Sequence, residues 1–285
     1  MTVAGIGATG TVGPCAVASL LVRGADVRVL ARDADRAGQV LGPGAEIRAT
    51  DIGDHDQIIA ACDGADSVLL LTSHAHDMAD LQLRIIRALR RTGVKIVKIS
   101  GTSSAINPDG PYALRQHWEV ETVLQGSGQP FVTLRPNAFM QTLIGTIMLP
   151  AVQASGAVPN AIAGAGISFI DARDIGECAA LALTTDAWDG QTLVLTGPRA
   201  VSYADIAATI EQLTGQQVAV KEITPADVRA MMLGRGTPQW EAEHFEEMYE
   251  MFRRGESEFI SGDVERITGH PPRTVEAYLA ETLAS

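Results

Sequence analysis

Gly5-Ile-Gly7-Ala-Thr9-Gly10-Thr11-Val12-Gly13 is the stretch on which the reading of this chain turns. Residues 3–6, just before and into it, read as a strand, and residues 12–23, opening at its end, read as a helix with Val12, Ala16 and Leu20 on the apolar face. Glycine suits three demands at such a turn: a tight bend, close approach of backbone to an anion, and close packing of helix on strand. The helix N-terminus adds free N–H groups and a partial positive charge. Strand, glycine turn and helix in this order predict a dinucleotide-binding βαβ unit. Gly7, Thr9, Gly10, Thr11, Val12 and Gly13 are its candidate pyrophosphate contacts.

Working outward, Asp26–Ala31 reads as a second strand, residues 47–49 as a third, and residues 56–62 as the start of a helix. Residues 67–71 are uninterrupted and apolar, as in a strand buried on both faces of a parallel sheet. Helix 79–92 closes at Gly93, followed by strand 94–100, helix 117–125 and strand 131–134. The alternation predicts an α/β fold of Rossmann type, a doubly wound parallel sheet. Beyond Pro136 the texture changes. Gly, Ala and Pro punctuate residues 155–166, after which 167–170, 192–195 and 217–223 read as strands. Residues 174–184, 202–213, 225–233 and 240–253 read as helices, with Ser202 a capping residue. Residues 1–150 are therefore expected to form mainly the nucleotide-binding domain. Residues 151–285 are expected to form a smaller α/β substrate lobe, with some elements returning to the main sheet.

The second strand ends Leu30-Ala31-Arg32-Asp33, where an NAD site usually carries an acid for the ribose 2′-hydroxyl. A guanidinium there suits a 2′-phosphate, so the sequence favours NADP(H). The alternative is a solvated Arg32 paired with Asp33 or Asp35. Asp51 and Ile52 end the third strand, placed to accept from the adenine amino group and to flank the ring; Asp51 could equally cap a turn beside Asp54.

Composition narrows the function classes. The chain has 285 residues and a formal net charge of −12, with only three lysines, Lys95, Lys98 and Lys221. Such a surface disfavours direct nucleic-acid binding and anionic membranes. Three cysteines at long spacings suit reduced thiols, and no apolar run reaches a membrane span, so a soluble cytoplasmic protein is expected. His74 and His76 are two apart with no third ligand placed by spacing, and no metal is expected.

Gly7-Ala-Thr-Gly10-x-x-Gly13, Val29-Leu-Ala-Arg32-Asp33, Asp51 and Leu134-Arg135-Pro136 together resemble the NmrA-like branch of the atypical short-chain dehydrogenases/reductases. Further matches are Ser168-Phe-Ile-Asp-Ala-Arg173-Asp174-Ile175, Leu195-Thr-Gly-Pro198, Ser202-Tyr203 and Gly269-x-Pro271-Pro272-Arg273, so the resemblance covers nearly the whole chain. It implies a Rossmann domain with a small substrate lobe and NADPH as usual cofactor. Its members include quinone, triphenylmethane-dye and isoflavone-type reductases, and also non-catalytic regulators that bind a dinucleotide and a protein partner.

The resemblance also shows a departure. The Tyr-x-x-x-Lys pair of typical short-chain dehydrogenases is missing, because Tyr112 is followed four positions on by Gln116. His117, in the segment that faces the nicotinamide in relatives, and Tyr112 are the candidate proton donors. Thr72, Ser73 and Ser100 follow the fourth and fifth strands, where a parallel sheet opens onto its cofactor. By resemblance, Pro136, Asn137 and Phe139 line the nicotinamide, and Phe139, Met140 and Trp240 form the apolar wall of the substrate pocket. The expectation is an NADPH-dependent reductase of a small hydrophobic, quinone-like or conjugated carbonyl substrate. Its rivals are a catalytically silent NADP(H) sensor acting through a protein partner, and a redox-neutral isomerase or cyclase. A homodimer or a protein partner is compatible with the sequence, which does not set the oligomeric state.

Overall fold

The apolar runs of the first half become parallel strands, and the amphipathic segments between them become helices. In the computed structural model, which describes residues 1–284, β1 (Thr2–Ile6) leads into α1 (Gly13–Val22), β2 (Asp26–Ala31) into α2 (Ala34–Leu41), and β3 (Glu46–Ala49) into α3 (His55–Cys62). There follow β4 (Ser67–Leu70), α4 (Met78–Leu89), β5 (Lys95–Ile99), α5 (Tyr112–Gln125) and β6 (Phe131–Pro136). A π-helical stretch, Met140–Met148, then runs into α6 (Leu149–Ser155), β7 (Ala157–Asn160), β8 (Gly166–Ile167) and α7 (Ala172–Thr184). The chain continues through β9 (Thr192–Leu195), β10 (Val201–Ser202), α8 (Tyr203–Thr214) and β11 (Ala219–Glu222). It ends with α9 (Pro225–Gly234), α10 (Gln239–Arg253), α11 (Asp263–Thr268) and α12 (Val275–Ala284).

Seven of these strands form one parallel sheet in the order β3-β2-β1-β4-β5-β6-β9. The order reverses between β1 and β4, which is where such sheets open a crevice at their carboxyl ends. Side chains alternate faces along each strand. Val97 and Ile99 of β5 join Val3, Val29 and Leu69 beneath α1 and α7, while Ile96 joins Ile6, Leu70 and Leu30 beneath α3, α4 and α5. Every side chain of β5 is buried, including two lysines, and Lys98 shares its face with Ile96.

The lobe has its own core, with Met140, Ile144, Phe169, Tyr203, Tyr249 and Leu279 inside it. Two small ladders, β8 with β10 and β7 with β11, frame it. Its seam with the sheet is polar and mostly paired, although Asn137 Oδ1 and Ser257 Oγ are buried without a partner among the described residues. Asn137 Nδ2 donates to Ser168 Oγ (2.7 Å) and to the Ser257 carbonyl (3.0 Å), and the Arg273 N–H donates to buried Asp174 (2.8 Å).

Two elements differ from the sequence reading. The helix expected over 117–125 begins at Tyr112, directly after Pro111, whose locked φ of −52° suits the residue flanking a helix start. The strand expected over 167–170 shrinks to Gly166–Ile167. Ser168 and Ile170 instead donate to the Ser257 and Ala138 carbonyls, both in irregular segments. No helix among the described residues is long and apolar enough to cross a membrane.

Candidate active site

The glycine turn is built to leave donors free. Gly7 leaves β1 with φ +78°, and a Cβ there would lie 1.8 Å from the Leu71 carbonyl oxygen, so the loops after β1 and β4 touch through glycine alone. At Gly13 a Cβ would sit 2.2 Å from the Ala8 carbonyl, which enforces the close start of α1. Gly10 is different. It is exposed, and a Cβ on it would meet only the Gly7 carbonyl, at 3.7 Å. The Val12 side chain is core, and no side chain caps α1. Uncapped N–H groups beside an open glycine fit a pyrophosphate. Thr9 is half-buried and Thr11 exposed, both on the same turn.

Arg32 is exposed at the end of β2 and forms no ion pair or hydrogen bond among the described residues. Asp33 is committed elsewhere, accepting from the Arg36 N–H (2.9 Å) as the cap of α2. The guanidinium is therefore open to a 2′-phosphate. Asp51 Oδ1 accepts from the Gly53 N–H (2.9 Å), so the turn uses one of its oxygens, and Asp54 caps α3. Ile52 packs half-buried against the sheet core.

Deeper in the crevice lies a group that sequence reasoning missed. Lys98 is completely buried, and its Nζ stands 2.8 Å from His117 Nδ1 and 3.2 Å from the Ile99 carbonyl. Burial pulls its pKa down to about 7, against the opposing pull of Glu121. His117, 3% exposed, is held well below the usual histidine range, first by burial and then by Lys98, His74 and His244. It is a neutral imidazole. The rings of His74 and His244 extend the cluster, His74 lying 6.1 Å from His117 and 5.6 Å from His244. His74 presents exposed surface yet sits deep among protein atoms, and burial, with Lys98 next, lowers its pKa. His244 is buried, accepts from the Ala113 N–H, and burial brings its pKa down to about 3. Behind Lys98, buried Glu121 takes a bidentate Arg135 (2.6 Å to Nη2) and the Ser100 hydroxyl.

A signal for Lys98 was present: it shares a face with Ile96 in a strand whose both faces are covered, where an amine must be buried and partnered. Gln116, at the position of the usual lysine, is a stitch instead. Its Oε1 accepts from the Ala79 N–H (2.8 Å) and its Nε2 donates to the Ala75 carbonyl (3.1 Å), pinning the loop after β4 to α5. Within that loop Thr72 accepts from Gln82 (2.7 Å), and Ser73 is exposed.

Tyr112 and Trp240 stand at the outer edge of this loop. The Tyr112 hydroxyl donates to the His76 carbonyl (2.8 Å), its ring stacks on His76 at 5.2 Å, and Trp240 lies 5.5 Å away. Phe139 is half-buried after β6, behind buried Pro136. Met140 corrects the sequence reading: with no exposed surface it belongs to the lobe core, because the π-helical stretch turns it inward, and it offers nothing to a substrate. Asn137 is likewise spent on the lobe seam, apart from its Oδ1, which is buried with no protein partner.

A model of the NmrA-like family matches residues 1–279 of this chain. An NAD(P)H azoreductase of Xenophilus azovorans is 30% identical, over 94% of this chain and 93% of its own length. Among solved structures, an NADPH-dependent quinone oxidoreductase of Escherichia coli in complex with NADPH superposes with a TM-score of 0.89 at 23% identity, covering 99% of each chain. The triphenylmethane reductase of Citrobacter sp. complexed with NADP(H) superposes at 0.84 with 19% identity, again over 99% of both chains. At these identities the two structures speak for the fold.

Proposed function

This chain belongs to the NmrA-like family, and from that premise we propose that it is an NADPH-dependent reductase of hydrophobic, quinone-like or conjugated carbonyl acceptors. The observation that carries the reading is a juxtaposition. An uncapped glycine cradle after β1, a free arginine after β2 and a buried lysine–histidine pair from β5 and α5 stand toward the carboxyl ends of strands in one parallel sheet. The relatives named above as azo, quinone and dye reductases support the same chemistry.

The N–H groups of Thr11, Val12 and Gly13 hold the pyrophosphate, Gly10 leaves room for it while its own N–H closes the turn on the Gly7 carbonyl (3.3 Å), and Thr9 stands at the edge. Arg32 takes the 2′-phosphate, and Asp51 and Ile52 the adenine. Thr72, Ser73, Ser100, Pro136, Asn137 and Phe139 surround the nicotinamide half. When bound, NADPH supplies the hydride. His117 serves the other half of the reaction: its Nδ1 faces Lys98 while its Nε2 has no hydrogen-bond partner among the described residues, so Nε2 is free to hydrogen-bond the acceptor oxygen as negative charge grows there. Tyr112, its hydroxyl already engaged by His76, shapes the mouth with Trp240 rather than donating.

The test is NADPH oxidation, followed by absorbance, against a panel of quinones, azo compounds and conjugated ketones. Turnover on quinones, with kcat reduced about a hundred-fold in His117→Ala, is the expected result. Tight NADPH binding without turnover on any acceptor would overturn the reading in favour of a sensor.

A further inference from the structure

The proposed reaction uses His117, but the structure holds a buried amine behind it that this reading leaves unexplained. Lys98 has no exposed surface, so it cannot touch substrate or cofactor. It stands 2.8 Å from one ring nitrogen of a histidine whose other nitrogen has no hydrogen-bond partner among the described residues. An ammonium has three donors and no lone pair, so beside it Nδ1 must be an acceptor and the ring proton must sit on Nε2.

We propose that Lys98 is a positioning residue and proton source that works through His117: its Nζ–H fixes the Nε2–H tautomer and supplies the proton that His117 passes to the acceptor oxygen. In that transfer the His117 Nε2–H bond breaks as an O–H bond forms on the reduced substrate, while the Lys98 Nζ–H bond breaks as an Nδ1–H bond forms. Lys98 is left as a neutral amine, and His117 remains neutral with its proton on the other nitrogen. A proton from water at Nε2 and return of the Nδ1 proton to Nζ restore the pair. No charge is ever left on the imidazole. This matters because the ring lies in a recess that penalises an imidazolium, whereas a neutral imidazole without this backing would have to become an imidazolate to donate.

The surroundings suit that task. The titratable and charged groups around Lys98 are His117 and Glu121 from α5, Arg135 from β6, His74 after β4 and His244 from α10. Glu121 is neutralised by Arg135, so it steadies the ammonium without taking its proton. The amine's lowered pKa, about 7, makes it a proton donor at neutral pH where an ordinary lysine is not.

The inference rests on the reductase reading, so its test includes a readout independent of turnover. In the wild-type protein with histidine labelled with nitrogen-15, long-range proton–nitrogen spectra should show His117 as the Nε2–H tautomer below neutral pH, the signal being assigned by its loss in His117→Gln. A proton on Nδ1, or on both nitrogens, overturns the proposal whether or not any acceptor is reduced. Lys98→Met should lose the fixed tautomer, lower kcat about a hundred-fold with NADPH affinity unchanged within about two-fold, and flatten the fall in kcat above about pH 7. Lys98→Gln restores a donor to Nδ1 without a transferable proton, so it should recover the tautomer but not kcat. Unchanged kcat and an intact alkaline limb in Lys98→Met would overturn the proposal. If Lys98→Met does not fold, the wild-type spectrum decides.

Discussion

The glycine cradle and the lysine–histidine cluster sit at the carboxyl ends of the same sheet, yet they are made in opposite ways. The cradle is nine consecutive residues whose chemistry is backbone: N–H groups left free by a turn that side chains would block. The cluster is side-chain chemistry gathered from β5, α5, the loop after β4 and α10, across the whole chain. The cradle is nearly all local, its main distant demand being the close approach of Gly7 to the Leu71 carbonyl. The cluster depends on burial supplied by elements far away in sequence, and it holds a charge that the fold would be more stable without.

Substitutions can break or sharpen this contrast. The largest effect is expected at Gly7→Ala, where a Cβ meets backbone at 1.8 Å in a positive-φ conformation. The variant should be insoluble, or its Tm should fall by about 10 °C or more. Gly10→Ala, beside it, should keep the wild-type Tm within about 1 °C and lose only NADPH affinity; equal Tm losses would mean that the cradle is scaffold throughout. Next comes Arg32→Ala, expected to weaken NADPH binding about 10–100-fold by titration while leaving NADH nearly unchanged, the worth of a charge-assisted contact. Equal losses for both nucleotides would end the specificity claim.

A smaller effect of opposite sign is expected at Lys98→Met, read by thermal unfolding. The folded pKa of Lys98 lies near 7, below its ordinary 10.5, so the fold disfavours the charged amine. That cost is complete below pH 7 and is relieved as pH rises toward 10.5. Lys98→Met should therefore raise Tm by a few degrees near pH 6, with the gap closing as the solution becomes alkaline. A variant that is less stable at every pH would show that Lys98 is structural. Tyr112→Phe should do least, because it removes one 2.8 Å hydrogen bond at the mouth. Acceptor turnover should change no more than about three-fold.

The same contrast explains what could be read in advance. Asp26–Ala31 and Thr192–Leu195 coincide with their predicted strands, and Ser202 caps α8 in a full capping box, because local patterns decide these features. Arg32 was legible because the end of β2 is a fixed station in such sheets. The role of Lys98 was not legible because the Tyr-x-x-x-Lys pattern places a lysine four residues along a helix, whereas here the lysine reaches α5 from β5. Met140 was misread for a related reason: the spacing of an α-helix does not describe a π-helical stretch, so its inward face could not be counted off the sequence. The roles of Asn137 and Gln116 depend on Ser257 and Ala75, which no local pattern ties to them.

The seventh strand of the main sheet, β9, and the helix that covers α1, α7, both come from the second half of the chain. During synthesis the cradle emerges first, but it waits on a sheet whose β6 edge has no neighbour and on a helix whose apolar face has no cover. An unpaired strand edge is a template for other chains, and unfinished domains are where aggregation competes with folding. The interval between the emergence of β6 and that of β9 is therefore where chaperones should be needed most, and slowing translation within it should lower the soluble yield.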